Sequence, residues 1–259
     1  MRYPKAIADI LKDAACQPEN TGKSGAQVLV FPDYVLKIRP ADSWDTVDTG
    51  ILRWLEGRLP VPRVAAHAVE EGTDWLLMTR VRGRMLCDPW VMERPHVLLD
   101  AMAEALHLLW SVPAENLPFG RTVEQELDQA ERYIASGRFD PSDCEPETFG
   151  PGGFADPAAL LSWLRRNQPP MEKVLTHGDF CLPNLFTDGA HLSGMIDLGS
   201  CGAGDRWRDL ALGWRSIRHN SDGRYGLYSN VNADDLFRAA GVPKDADRLR
   251  YYLLLDELF

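Results

Sequence analysis

Apolar positions in this chain fall into two patterns, one before and one after Gly83. Near the start, Ile7, Ile10, Leu11 and Ala14 recur at helical spacing and predict a short amphipathic helix over residues 5–15. Gln17-Pro18-Glu19-Asn20-Thr21-Gly22, followed by Ser24-Gly25, reads as turns. Two apolar runs, residues 28–31 and 34–38, flank Pro32-Asp33 and predict a β-hairpin behind that glycine-bearing turn. Residues 44–58 predict a helix with Val47, Ile51, Leu52, Trp54 and Leu55 on its apolar side, stopped by Pro60 and Pro62. Residues 61–69 and 75–81 predict two further strands, with Glu71-Gly72 turning between them.

Beyond Gly83 the helical period takes over. Val97, Leu98, Ala101, Met102, Ala105, Leu106 and Leu109 mark a helix over 97–110, and residues 122–135 and 157–166 predict two more. The Pro/Gly-rich segment 141–153 reads as an extended loop. Short strands at Phe186-Thr187 and Met195-Ile196 flank a hairpin turn at Asp188-Gly189, and helices over 207–218, 233–240 and 246–258 close the chain. The order predicts an α+β fold of two lobes. A small β-rich N-terminal lobe takes residues 1–80, a larger, mostly helical lobe takes 81–259, and a hinge falls near 79–84.

Composition narrows the class. Hydrophobic residues at 45% and charged residues at 25% fit an ordinary soluble globular protein, and 259 residues leave room for a substantial core. The net charge of -10 disfavours nucleic acid and anionic membrane as partners, whose phosphates would be repelled, and is compatible with a polycationic ligand. Cys16, Cys87, Cys144, Cys181 and Cys201 form no CxxC pair, which argues against zinc and fits free thiols in a reducing cytoplasm. Lys5, Asp9, Lys12 and Asp13 interrupt the first apolar stretches, unlike a signal peptide. No apolar run approaches the ~20 residues that span a bilayer. A soluble, cytoplasmic protein is expected.

The sharpest chemical signal is His177-Gly178-Asp179-Phe180-Cys181-Leu182-Pro183-Asn184, followed by Ile196-Asp197-Leu198-Gly199. Asp179 and Asn184 on one tight loop can face a common pocket, and Asp197 follows a strand soon after. Phosphoryl transfer needs such a set: an acid to orient the attacking hydroxyl, and an amide oxygen and a carboxylate to hold Mg²⁺ across the phosphates. Gly22-Lys23-Ser24 is not a P-loop, because the required first glycine is Gln17 and the segment precedes a hairpin rather than a helix. A Gly/Ser turn between strands, with Ser24 and Gly25 over the phosphates, fits instead. Lys37 lies in a predicted strand whose apolar neighbours Val35, Leu36 and Ile38 would bury its stem.

On these residues the chain resembles the protein-kinase-like antibiotic kinases and is similar in particular to the aminoglycoside 3′-phosphotransferases. The similarity also runs through Trp54-Leu55-Glu56-Gly57, Leu59-Pro60-Val61-Pro62, Leu76-Leu77-Met78, and residues 176–186, 194–199, 205–211 and 251–259. It implies a protein-kinase-like two-lobe fold and Mg²⁺-dependent transfer of the γ-phosphoryl group of ATP or GTP to a 3′-hydroxyl of an aminoglycoside. A kinase of another small hydroxyl-bearing molecule is the alternative on the same fold. In the resemblance Asp179 is the catalytic base, Asn184 and Asp197 are metal ligands, and His177 and Asp209 support the loop. Lys37 contacts the phosphates, with Asp48 as its helix partner, and residues from Met78 to Val81 read the base. Val35 offers the base only apolar contact, so the choice between ATP and GTP stays open. Glu145, Asp256, Glu257 and Phe259 are the implied acceptor contacts.

The chain departs from the pattern at Ser200, where relatives carry arginine, and at His219, where some carry an acid. Cys16 and Cys144 match cysteines of a relative and could link two chains, so a monomer or a homodimer is expected. A binding module of the same fold would normally have lost one of Lys37, Asp179, Asn184 or Asp197, and all are present. A hydrolase built on Ser200 fails because Leu198-Gly199-Ser200-Cys201-Gly202 lacks the first glycine of G-x-S-x-G.

Overall fold

The computed structural model describes residues 3–12, 14–19, 26–41, 49–113, 117 and 120–259. Helix α1 (Lys5–Leu11) buries Ile7 and Leu11 and ends where Lys12 turns to φ 50°, short of the expected residue 15. Strands β1 (Gln17–Glu19), β2 (Gln27–Val30), β3 (Tyr34–Pro40), β4 (Val64–Glu70) and β5 (Thr73–Thr79) form an antiparallel sheet in the order β1-β2-β3-β5-β4. Strand β1 corrects the expectation of a turn over residues 17–19. Gln17 pairs with Val30 and Pro18 with Leu29 at the sheet edge, where a proline without an N–H is tolerated.

Alternation along β3 sends its residues to opposite faces. Leu36 and Ile38 pack with Ile7, Leu11, Phe31 and Leu77 under α1. Val35 and Lys37 line a cavity on the other face. Helix α2 (Thr49–Leu55) follows the sheet's first three strands; its expected start at residue 44 falls outside the described residues.

The remainder is mainly helical. Strand β6 (Arg84–Met85) leads through α3 (Pro89–Met92), α4 (Pro95–Ser111), α5 (Val123–Ala135) and α6 (Pro157–Arg166) to β7 (Lys173–Thr176). Strands β8 (Leu185–Thr187), β9 (Leu192–Met195) and β10 (Gly202–Asp205) follow, then α7 (Arg206–Ser221), α8 (Asp235–Ala239) and α9 (Ala246–Asp256). Helix starts follow local chemistry. Thr122 and Gln125 form a reciprocal capping box on α5, Asp156 accepts from Ala159 N–H on α6, and Asp205 accepts from Trp207 N–H on α7.

Helix α4 is the spine of the larger core. Its Ala101, Met102, Ala105, Leu106 and Leu109 share one apolar cluster with Leu210 and Ala211 of α7 and with Tyr251, Tyr252 and Leu255 of α9. The same cluster takes in Ile51, Leu52 and Leu55 of α2 and Leu76 and Met78 of β5, so apolar contact ties the sheet to the helical part. Sequence spacing did not reveal the β7–β10 pair. Gly202-Ala203-Gly204 has no strand propensity, yet Gly204 pairs with Val174 and a Cβ there would lie 2.9 Å from the Arg121 carbonyl oxygen.

Gly83 sits just before β6 at φ 107°, and a Cβ there would lie 2.6 Å from Ser193 Oγ and against the Thr187 carbonyl. Gly83→Ala combines a disfavoured φ with overpacking, each worth about 1–3 kcal/mol. A fall in melting temperature on the order of 10 °C is expected in a thermal scan.

Candidate active site

The loop after β7 is held from below by one carboxylate. Asp209, fully buried on α7, accepts the backbone N–H of His177 at 2.7 Å and of Gly178 at 3.0 Å. Burial raises the Asp209 pKa to about 6 against the opposing pull of His177, the two N–H bonds and Arg208. Gly178 adopts φ 85°, and any Cβ there would strike the backbone of Ser200. Phe180 is fully buried, and a Cβ at Gly213 of α7 would lie 3.0 Å from its ring.

Above this anchor runs a closed circuit of hydrogen bonds. Asp179 N–H donates to His177 Nδ1 at 3.3 Å, which makes Nδ1 the acceptor and leaves Nε2–H to donate to the Ile196 carbonyl at 2.9 Å. Ile196 N–H donates to the Asn184 carbonyl at 2.9 Å. Asn184 Nδ2 then donates to Asp179 Oδ2 at 2.8 Å and to the Asp179 carbonyl at 3.0 Å. Both donors of the amide are thereby engaged, and its oxygen is left for another partner. The circuit fixes Asp179 and Asn184 relative to the residue before Asp197. Asp197 itself adopts left-handed φ 62°, ψ 51°, with a 3₁₀ turn over Leu198–Ser200 behind it. Cys181, next to Asp179, is an unreactive thiol, its pKa raised by burial and then by Asp179.

Asn184 and Asp197 open onto a cavity of about 220 Å³ between the sheet and the helical part. Val28, Val30, Val35, Leu52, Met78, Val81, Phe186 and Ile196 make it mainly apolar, as the planar base of a nucleotide requires. Lys37 reaches across it, and its Nζ lies 2.7 Å from Asp197 Oδ1. Lys37, Met78, Val81, Asn184 and Asp197 are thus brought together around one cavity, with Asp179 bonded to its edge through Asn184. Ser24, Gly25 and Asp48 lie outside the described residues.

The residues expected to contact the acceptor also converge. Glu145 N–H donates to Glu257 Oε2 at 2.6 Å, although the two are 112 positions apart. Glu257 pairs with Arg215 at 3.0 Å, and Asp256 pairs with Arg208 at 3.0 Å and closely with Arg215. Burial raises the Asp256 pKa, but Arg208 and Arg215 outweigh it and hold the carboxyl below its usual value; burial prevails at Glu257, which is raised. Phe259 lies over the Arg208 guanidinium at 5.9 Å. The sequence suggested acids open to a cation. In the structure each already carries an arginine, which reading acids alone could not show.

A model of the phosphotransferase enzyme family matches residues 21–250. The chain belongs to this family. It is 33% identical to an aminoglycoside 3′-phosphotransferase of Niallia circulans over 99% of this chain and 97% of the relative. It is 30% identical to the Enterococcus faecalis enzyme of the same name, over 100% and 99%. Among solved structures, the aminoglycoside phosphotransferase APH(3″)-Id of Streptomyces rimosus superposes with a TM-score of 0.80 at 27% identity, covering 98% of this chain and 96% of that one. The same enzyme in complex with ADP and streptomycin gives 0.76 at 26% identity, over 98% and 96%. The α+β two-lobe architecture is therefore that of the phosphotransferase family.

Against this family frame, sequence reasoning missed two arginines. Arg121 places Nη2 3.4 Å from Ser200 Oγ, so a guanidinium stands beside the position where the resemblance expects one. Arg208 is buried on α7 between Glu126 and Asp256. Both were hidden because a guanidinium one or more elements away leaves no local spacing. Cys144 donates to the Glu257 carbonyl at 3.2 Å, and burial, then Glu257, push its thiol up to about 12, which disfavours oxidation.

Asp209→Ala strands two buried N–H donors, each costing about 1–3 kcal/mol. It is expected to lower the melting temperature and to reduce kcat on the order of 100-fold through misplacement of Asp179. Asp209→Asn, which keeps one oxygen, should fall between; thermal scans and ADP-release kinetics check both.

Proposed function

We propose that this chain is an aminoglycoside 3′-phosphotransferase: it transfers the γ-phosphoryl group of ATP to the 3′-hydroxyl of an aminoglycoside and so confers resistance. The observation that carries this reading is the hydrogen-bonded circuit that holds Asp179, Asn184 and Ile196, the residue before Asp197, at the mouth of an apolar cavity spanned by Lys37. The full-length relatives named above supply the acceptor class. Residues 1–80 form the nucleotide lobe in this reading, and 81–259 the catalytic and acceptor lobe, working in the cytoplasm where ATP and Mg²⁺ are plentiful.

Asp179 orients the acceptor hydroxyl and takes its proton, with Asn184 fixing which oxygen faces outward. Lys37 leaves Asp197 for the phosphates, which frees that carboxylate. The donor set suits Mg²⁺: one carboxylate and one amide oxygen, and among the described residues no cluster of three or more His, Cys, Asp or Glu that would form an all-protein cage. Asn184 and Asp197 would hold the ion, which when bound neutralises charge on the transferring phosphate. The apolar walls at Val35, Met78 and Val81 exclude water around the base, and the family resemblance assigns Ser24 and Gly25, outside the described residues, to the phosphates. Glu145, Asp256, Glu257 and Phe259 present the acceptor to Asp179.

A second reading, the same reaction on a less cationic acceptor, is favoured by Arg208, Arg215 and Arg224 sitting on these acids. An ADP-release screen over aminoglycosides and neutral sugar alcohols separates the two, and cells expressing the chain should tolerate raised doses of the aminoglycosides it turns over.

Asp179→Ala is expected to lower kcat by about 10²–10⁴-fold while nucleotide still binds. Chelation of Mg²⁺ should abolish turnover, and Asn184→Ala should raise the Mg²⁺ concentration needed for half-maximal rate. Near-parental turnover by Asp179→Ala would remove the assignment.

A further inference from the structure

Of the acids on the acceptor side, Glu145 is the one closed by a cation that faces water. Its two carboxylate oxygens each receive one arm of the Arg224 guanidinium, Nη1 to Oε1 and Nη2 to Oε2, both at 2.7 Å. This fork-on-fork contact engages both oxygens at once. Arg224 is delivered by a tight turn after α7: Gly223 N–H donates to the Gly226 carbonyl at 2.9 Å, and Asp222 bridges to Leu227. The Arg224 side chain is 41% exposed, against 5% for Arg208 on Asp256. Arg208 cannot leave without stranding a buried charge, whereas Arg224 can swing into solvent at little cost.

We infer that Arg224 is a specificity-determining residue: its guanidinium occupies Glu145 in the resting protein and competes with the acceptor's ammonium groups for that carboxylate. The inference rests on the reading of Glu145 as an acceptor contact. An ammonium and the guanidinium need the same oxygens and repel each other, so a cationic acceptor binds only the fraction of molecules in which Arg224 has swung away. The other groups around Glu145 do not fill this role. His219 Nε2 lies 3.1 Å from Oε1, but burial and then Arg224 lower its pKa, which disfavours its cationic form. Arg218 stands at 3.9 Å, and Glu257 is an acid joined through the Glu145 backbone. The contact therefore tunes affinity for cationic acceptors downward and weakens with the number of charges the acceptor carries.

Calorimetric titration with kanamycin, alongside its steady-state KM and kcat, tests this in the full chain. Arg224→Ala and Arg224→Gln are each expected to tighten kanamycin binding about fivefold, the scale of an exposed ion pair, with the gain in KM rather than kcat. Glu145→Gln should weaken binding, and adding Arg224→Ala to it should restore nothing. Equal or weaker binding in both Arg224 variants, at parental melting temperature, overturns the competition while Glu145→Gln still weakens binding. If Glu145→Gln leaves binding unchanged, Glu145 is not an acceptor contact and the inference falls with that reading. Should Arg224→Ala unfold, the Arg224→Gln titration decides.

Discussion

Two backbone N–H groups converge on the Asp209 carboxylate, and the rest of the site hangs from that contact. Neither donor belongs to a helix or strand ladder, so without Asp209 both would be buried and unpaired. With them satisfied, Gly178 can hold its left-handed turn, His177 is oriented, and its two ring nitrogens link Asp179 to the strand before Asp197. The imidazole acts as a spacer of fixed tautomer. Its value lies in geometry, because each nitrogen is committed to a backbone partner.

Rigidity there contrasts with two more exposed ion pairs. Lys37 and Asp197 neutralise each other across the cavity at 2.7 Å, and Arg224 and Glu145 do so beside the chain's last turn. Each pair is only partly buried, so separating it costs little compared with opening a buried pair. The family's chemistry needs this division. Reacting groups must be held within a fraction of an ångström, whereas the charges that receive phosphate or ammonium must be free to change partners. The deeper pairs, Arg208–Asp256 and Arg215–Glu257, tie the chain's last turn to α7.

The grouping of Asp179, Asn184 and Asp197 was legible because its spacing is local. Asp179 and Asn184 share one loop, and Asp197 follows within one hairpin, so the chain itself keeps them close. Lys37 was legible through alternation: Leu36 and Ile38 must face the core, which turns Lys37 to the cavity. The long helices, α4 above all, were legible because packing of one apolar face repeats every turn. Strand β1 and the β7–β10 pair were not, since Pro18 and Gly202-Ala203-Gly204 carry no strand signal and pair only because a partner strand is delivered to them.

By itself the sequence determined which groups are available, Asp179, Asn184 and Asp197 on one short stretch and the acids at Glu145, Asp256 and Glu257, because residue types and short spacings fix that much. Only the tertiary structure decided how those groups are charged and paired. Arg121 reaches Ser200 from 79 positions away and Arg224 reaches Glu145 from the same separation, and Coulomb attraction acts on distance in space with no trace in local spacing. The same limit holds for Asp209, whose identity as an acid was plain while its two backbone donors, more than 30 residues earlier, became visible only once β7 and α7 packed side by side.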